Sequence, residues 1–379
     1  TVMETGWDIL FFWVARMILS TTYVTGQIPF KTVYLHGLIR AEDGKKMSKS
    51  RPESIIDPLD VIPKYGTDAL RMALIMGVSP GNDQNWGWGK IEANRNFCNK
   101  LWNIARYIEG LTGDDYQPAD AKPLSVADHC ILTKLQHSTD VIAAHLEALR
   151  FSEAYDELYH FVWDDFADWY VEASKTNQNL PLLTHCLEAI LTIAHPFAPF
   201  VTETIWQTLA WTGDSLLAQH PWPTIIAGDK TQSKAFDEIQ KIVTESRFIV
   251  KSLEAKDVSL YFAESKLLSA NEELVRRLAR LKAVRQVEQG EASGMQLTST
   301  SQACWLDIDT DTAKKYLDTL NEKRNKQQAV IGQLEQRLGN KSYVDHAPEA
   351  IVAQTREQLD DAQEQLKALN EQYERFSSI

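Results

Sequence analysis

The chain has 379 residues, 44% of them hydrophobic and 24% charged, with a formal net charge of −13. That length leaves room for two to four domains with buried cores, and the composition is ordinary for a folded soluble protein. The negative total argues against nucleic-acid binding driven by overall charge, so any RNA contact has to use local basic patches.

Cys98, Cys130, Cys186 and Cys304 stand far apart, with no Cys-x-x-Cys pair. This pattern argues against a zinc module or a disulfide framework and fits a reducing, cytoplasmic setting. The run 9–19 is apolar except for Arg16. A membrane span needs about 20 apolar residues, so the run reads as a buried helix and no membrane partner is expected. The first methionine, Met3, lies inside a patterned segment and no signal or transit peptide is visible; the expectation is a piece of a longer protein.

Residues 1–43 read as part of an α/β layer. The stretch 8–20 is a strongly apolar helix after Thr5-Gly6, and 32–36 is a short β-rich strand closed by Gly37. Strand, glycine and basic loop in that order fit the rule that ligands of open α/β sheets sit beyond the carboxyl ends of the strands. His36, at the strand end, reads either as a structural hydrogen-bonding residue or as a substrate contact.

Residues 44–125 begin with Lys46-Met47-Ser48-Lys49-Ser50. Between 31 and 51, six basic side chains face two acidic ones, a local charge of +4. Ammonium groups supply point charges, and hydroxyls and backbone N–H groups supply directed bonds, as a polyphosphate requires. A solvated basic turn is the plain alternative. Asp57-Pro58 opens a helix, and Thr67 is placed to cap another that reaches Met76. Residues 80–83, Pro-Gly-Asn-Asp, form a turn cluster. The helix over 90–111 carries Arg95, Lys100 and Arg106 among Phe97, Leu101 and Trp102, and polar residues 112–123 read as a linker.

Residues 126–262 read as a helical bundle, with helical spacing over 127–149, 152–174, 180–191 and 199–209. From 128 to 260 there are 19 acidic and 9 basic residues. Phe161, Trp163, Phe166, Trp169 and Tyr170 read as bundle core, or as rings of which one or two stack on unpaired RNA bases. Residues 195–200, His-Pro-Phe-Ala-Pro-Phe, interrupt the helical pattern because proline breaks the hydrogen-bond ladder.

Residues 263–308 read as a small α/β connector. Asn271 is placed to cap a helix that carries Arg276, Arg277 and Arg280, either a solvated face or an RNA contact. A polar turn lies between Gly290 and Gly294, and a strand over 303–308 is expected to pair with 258–263. Residues 309–379 carry two heptad seams. The first runs Ala313, Leu317, Leu320, Arg324, Gln327, Ile331, Leu334, Leu338, and the second Leu359, Ala362, Leu366, Leu369, Tyr373, Phe376. With Gly339-Asn340 and Pro348 between them, they predict an antiparallel coiled-coil hairpin. Arg324 and Gln327 break the seam and can set register. Six basic and three acidic residues over 312–340, Lys314 and Lys323 among them, would suit a phosphate backbone.

These residues resemble the valyl-tRNA synthetases, a family of class I aminoacyl-tRNA synthetases. Residues 46–50 match one of the two class signatures. The runs 4–17, 33–38 and 95–103, Asp168-Trp169-Tyr170, residues 195–200 and the C-terminal hairpin are similar as well. The isoleucyl and leucyl enzymes are the alternatives within the class; the resemblance sets them apart, since bacterial isoleucyl enzymes typically end in a cysteine zinc module, absent from this sequence, and leucyl enzymes lack the hairpin. The second signature, His-Ile-Gly-His, is missing, since the sequence contains no His-x-Gly-His. The editing domain is missing too.

The resemblance implies a multidomain, mainly α protein. Residues 1–43 would be the C-terminal part of a Rossmann-like catalytic domain, 44–125 the signature loop and stem-contact helices, and 126–262 the anticodon-binding bundle. Residues 263–308 would be the connector and 309–379 the tRNA-binding arm. It implies ATP-dependent activation of valine and its transfer to tRNA-Val, with ATP and Mg2+ as substrate and no protein-bound metal. Lys49 would contact the triphosphate, Lys46 and Ser48 would position the loop, and His36 would lie near ATP. Trp7 and Asp8 would lie near the amino-acid pocket. Arg95, Lys100, Trp169, Arg276, Arg280, Lys314, Lys323 and Arg324 are the tRNA-contact candidates. The isolated chain is expected to be a monomer that binds tRNA without charging it. A non-catalytic tRNA-binding module and a coiled-coil scaffold are the readings outside the enzyme class.

Overall fold

The computed structural model describes residues 1–47, 51, 55–113, 116–211, 213, 215–288, 294–340 and 349–377. They form two units, Thr1–Phe236 and Asp237–Ile379.

In the first unit, β1 (Val2–Gly6) and β2 (Thr32–His36) pair in parallel, in register from Val2↔Thr32 to Gly6↔His36. The chain crosses between them through a 3-10 turn (Trp7–Ile9), a wide π turn (Leu10–Val14) and α1 (Ala15–Thr25). The helix expected over 8–20 is therefore tight at its start, wide in its middle and longer at its end. Parallel strands normally have both faces covered. Here the described residues leave the crossover's apolar side open, with Phe11 77% and Phe12 71% exposed. A second parallel pair joins β3 (Ile39–Arg40) to β4 (Gln84–Asn85).

Helix α2 (Pro58–Tyr65) starts as expected, with Asp57 accepting the Leu59 N–H at 2.8 Å. Helix α3 (Thr67–Ile75) does not start as expected. Gly66, at φ 89°, takes the cap position, and Thr67 lies inside the first turn with no capping bond. That backbone angle suits glycine and excludes a β-branched residue. Helix α4 (Trp88–Thr112) buries Ile91, Phe97, Leu101, Ile104 and Ile108 at steps of three, four and six.

Helix α5 (Val126–Glu147) opens with a reciprocal capping box between Ser125 and Asp128. Then α6 (Phe151–His160), a π stretch (Phe161–Tyr170) and α7 (Val171–Ser174) follow one another without a break in the helix. Phe161, Phe166 and Tyr170 are buried, and the Tyr170 hydroxyl donates to Asp128 at 2.8 Å. Helices α8 (Leu180–Ala194) and α9 (Pro199–Leu209) flank the proline-broken turn.

Helix α10 (Lys230–Ser252) carries the chain into the second unit. There a four-stranded sheet runs in the order β6 (Val284–Gln286), β5 (Leu260–Phe262), β8 (Cys304–Leu306), β7 (Met295–Gln296). Strand β8 lies antiparallel to β5 from Leu260↔Leu306 to Phe262↔Cys304, the pairing read from the sequence. Two short helices follow β5, α11 (Lys266–Ala270) and α12 (Glu272–Ala279). Asn271 stands at the start of α12, but its amide turns back and donates to the Leu267 carbonyl at 2.8 Å. Helix α11 ends one residue earlier, and its free carbonyls claim that side chain. Gly290 lies outside the described residues.

Two carboxylates seven residues apart on α10 grip the hydroxyl-rich stretch 298–301. Glu245, fully buried, accepts from Thr298 N–H and Oγ1 and from Ser299 N–H and Oγ. Glu238 accepts from Thr300 Oγ1 and from Ser301 N–H and Oγ, each at 3.0 Å. The long helices α13 (Thr310–Gly339) and α14 (Glu349–Ser377) lie side by side. Partner numbers on α14 fall as those on α13 rise, from Arg324–Asn370 to Gln327–Ala362, so the two run antiparallel. Leu320, Ile331, Val352 and Ala362 are buried; Pro348 lies outside the described residues.

The clasp on 298–301 generates a prediction. Glu245→Ala removes the acceptor of four donors on the exposed Thr298 and Ser299 and empties a buried side-chain site, and should cost about 1–3 kcal/mol in urea unfolding. Acid should act in the same direction. The Lys241 amine and the Ser301 and Thr300 donors hold the Glu238 carboxyl at about 2, below its ordinary 4.5. A folded-state value below the unfolded one means stability present above about pH 4.5 and lost as pH falls toward 2.

Candidate functional site

The carboxyl ends of β1 and β2 lie side by side at Gly6 and His36. The His36 ring is held within its own strand pair: Nδ1 lies 2.9 Å from the Gly37 carbonyl and Nε2 3.3 Å from a Glu4 carboxylate oxygen. With Nδ1–H donating to Gly37, Nε2 can donate to Glu4 only when the ring is charged. Trp7 and Asp8 follow β1 directly, on the same edge. Trp7 is 48% exposed, and its indole N–H points to Asp83 Oδ1 at 3.4 Å.

Past Gly37 the chain runs through β3 into a basic turn. Arg40 forms a β-bridge with Lys46, and Ala41 N–H donates to the Lys45 carbonyl at 2.9 Å. Asp43 braces the turn by accepting from Lys45 N–H at 3.0 Å and from Arg51 at 2.9 Å. The Lys45 N–H and the Arg51 guanidinium hold the Asp43 carboxyl below its usual range. Arg51 also donates to the Lys46 carbonyl at 3.0 Å. Met47 packs against a buried cluster that includes Val61, Leu70, Trp86 and Ile91. The apolar residue of the signature thus anchors the turn, while Lys45 and Lys46 stay exposed. Ser48 and Lys49 lie outside the described residues.

The other candidates are dispersed. On α4, Arg95 pairs with Glu92 at 3.1 Å and lies over the Tyr65 ring, 5.5 Å from its centroid. Lys100 pairs with Asp168 at 2.8 Å and lies 5.0 Å from the Trp163 ring, itself stacked on Tyr159 at 5.6 Å. Trp169 meets Phe236 edge-on, so the aromatic stretch mostly packs on protein. In the second unit, both Arg276 nitrogens grip Glu273 at 2.7 Å. Arg280, at φ 57°, ends α12. Lys314 and Lys323 are exposed on α13. Arg324 is engaged within the helix pair, donating to Asn370 at 2.6 Å with its guanidinium 4.3 Å from the Tyr373 ring centroid.

Sequence reasoning missed Asp68 and Asp83. Both lay in stretches legible only as a helix start and a turn; their partners are 76 or more residues away for Trp7, Phe200 and Val201. Along α9 an open cleft of about 520 Å³ is lined by His195, Phe200, Glu203, Gln207 and Thr208. Among the described residues, no three His, Cys, Asp or Glu side chains converge where a metal ion would sit. No described helix is long and apolar enough to cross a membrane.

The order of these parts matches known proteins. Residues 1–87 match the tRNA synthetases class I (I, L, M and V), and residues 128–259 the anticodon-binding domain of tRNA ligase. Residues 315–377 match the valyl tRNA synthetase tRNA binding arm. The valine–tRNA ligase of Bacillus subtilis is 34% identical over 95% of this chain and 44% of its own length. That of Enterococcus faecalis is 32% identical over 100% of this chain and 46% of its own length. The chain belongs to the valyl-tRNA synthetase family. It spans less than half the length of these relatives.

Within this synthetase layer, Gly37 is a position no other residue can fill. A Cβ there would fall 1.7 Å from the Asn82 carbonyl oxygen, a backbone atom that cannot swing aside. Gly37→Ala should therefore push the 80–83 turn off β2 and cost about 1–3 kcal/mol in thermal or urea unfolding, as overpacking does.

Proposed function

We propose that this chain carries the phosphate-handling and tRNA-binding parts of a valine–tRNA ligase. The observation that carries the reading is the succession of three family matches along one chain whose relatives align over 95–100% of it. In that reaction a valine carboxylate oxygen attacks the α-phosphorus of ATP, supplied with Mg2+, and pyrophosphate departs. The activated valine then passes to the terminal ribose of tRNA-Val. Charge builds on the phosphoryl oxygens, and fixed cations and N–H donors stabilise it. The exposed Lys45 and Lys46 on a braced turn supply such cations, and Lys49 follows in sequence. The amino-acid side of the pocket falls to Trp7 and Asp8, with His36 toward the adenosine.

For RNA, the coiled-coil arm formed by α13 and α14 offers Lys314, Lys315 and Lys323 to a phosphate backbone. The α9 cleft, with Phe200 60% exposed, offers a ring to an unpaired base. Arg324 acts as a register lock inside the arm. The protein works in the cytoplasm as a monomer. A non-catalytic tRNA-binding module is the second reading, favoured by the anticodon-binding and tRNA-binding-arm matches over residues 128–259 and 315–377.

Gel shifts with tRNA-Val and a non-cognate tRNA across a salt series test the RNA part. Cognate tRNA should bind tighter, and replacing Lys314, Lys315 and Lys323 by Ala should lower the salt slope by about 2. Equal binding of both tRNAs would contradict it. Valine-dependent ATP–pyrophosphate exchange tests the catalytic part. The chain alone should show none. Exchange should appear when a polypeptide bearing the His-x-Gly-His half is added, and Lys49→Ala should lower its rate more than valine affinity. If no complement restores exchange, the binding-module reading stands.

A further inference from the structure

We propose that Asp83 is a positioning residue whose single carboxylate holds the Trp7 ring and the root of the lysine turn together. The inference rests on the reading of residues 41–47 as phosphate-handling and of Trp7 as part of the amino-acid side.

Asp83 ends the Pro-Gly-Asn-Asp turn between α3 and β4. That turn has no slack against β2. Gly81 N–H donates to the Leu35 carbonyl at 2.8 Å, and the Asn82 carbonyl occupies the space beside Gly37. The carboxylate then collects donors from two separate segments. Oδ1 accepts from Leu38 N–H at 2.8 Å and from the Trp7 indole at 3.4 Å. Oδ2 accepts from Arg40 Nε and from its terminal nitrogen, both at 2.5 Å. The Leu38 N–H and the Arg40 guanidinium keep the Asp83 carboxyl below its usual range, so it is an anion at neutral pH.

Arg40 is the residue that bridges to Lys46, and its own carbonyl accepts Trp86 N–H at 2.9 Å. A chain of bonded groups therefore runs from the Trp7 indole through Asp83 and Arg40 to the backbone of Lys46. Trp7 is half exposed and the Arg40 side chain about one third exposed, 36%. Neither needs this carboxylate to be buried safely; what the carboxylate fixes is their direction. Charge-assisted bonds to a guanidinium are the strong, oriented kind. Spatial continuity alone is not coupling, so the test has to read transmission.

The test uses the full 379-residue chain, 15N-labelled, with Asp83→Asn and Arg40→Gln. Asp83→Asn should move the Trp7 indole N–H and the Lys46 amide resonances together. Arg40→Gln leaves Trp7 and Asp83 in place and should still move the Trp7 indole. If Arg40→Gln moves Lys46 while the Trp7 indole stays at its original position, Asp83 merely caps a turn and the proposal fails. If Asp83→Asn does not fold, Arg40→Gln decides alone. Magnesium pyrophosphate is then titrated into each protein. Affinity read at Lys46 should fall at least about fivefold in Asp83→Asn, the low end of ordinary coupling between sites. Unchanged affinity overturns the proposal. No response of the unsubstituted chain to pyrophosphate contradicts the phosphate-handling reading instead, and Asp83 is then judged on the Arg40→Gln comparison.

Discussion

Asp68 joins the α/β layer to the helical bundle. It sits in the first turn of α3, 6% exposed, and its two oxygens accept the Phe200 and Val201 N–H groups at 3.3 and 2.6 Å. These are the free donors at the start of α9, where a negative group is stabilised by the helix end. One turn further along α3, Arg71 donates to the Pro196 and Phe197 carbonyls at 3.1 and 3.4 Å. An acid takes the donors and a base takes the acceptors of one proline-broken turn, so 195–200 is gripped from both sides. Burial pushes the Asp68 carboxyl up against the pull of Val201 and Phe200. Desolvation thus works against the charged form, while the two N–H donors favour it.

Contacts from both sides of that joint converge on α3 and α4. The Met47 cluster packs there, Gln84 donates to the Met76 carbonyl at 2.9 Å, and the Tyr155 hydroxyl from α6 donates to Asn94 on α4. The lysine turn rooted on this layer is therefore fixed in direction relative to the bundle within the first unit. The second unit uses the same device differently. There Glu238 and Glu245 hold a loop of four hydroxyl residues, and Arg324 holds the register of two helices.

Much of this was legible in the sequence, for local reasons. Asp57-Pro58, the β-rich run before Gly37 and the heptad seams are patterns a chain imposes on itself within a few residues. The signature at 46–50 stood out because its charge opposed the chain's total. What escaped depends on distant partners. Asp68 and Arg71 act on residues more than 120 positions away, and Asp83 on Trp7, 76 away. Thr67 looked like a cap because its residue type fits, but Gly66 owns the required backbone angle. Lys100 and Arg95 stood out by their charge; Asp168, which pairs with Lys100, lies 68 positions away and was out of reach of a local reading, whereas Glu92 stands three residues before Arg95 on the same helix.

The joint at Asp68 ties the layer that carries the lysine turn to the bundle. Hydrogen exchange of the full chain with and without Asp68→Ala measures it directly. Exchange should rise together in the first turn of α9 and in α2, α3 and the Met47 cluster, because the substitution loosens the bundle's hold on α3. Faster exchange confined to Phe200 and Val201, with α2 and α3 unchanged, would show Asp68 to be a local cap and would contradict it.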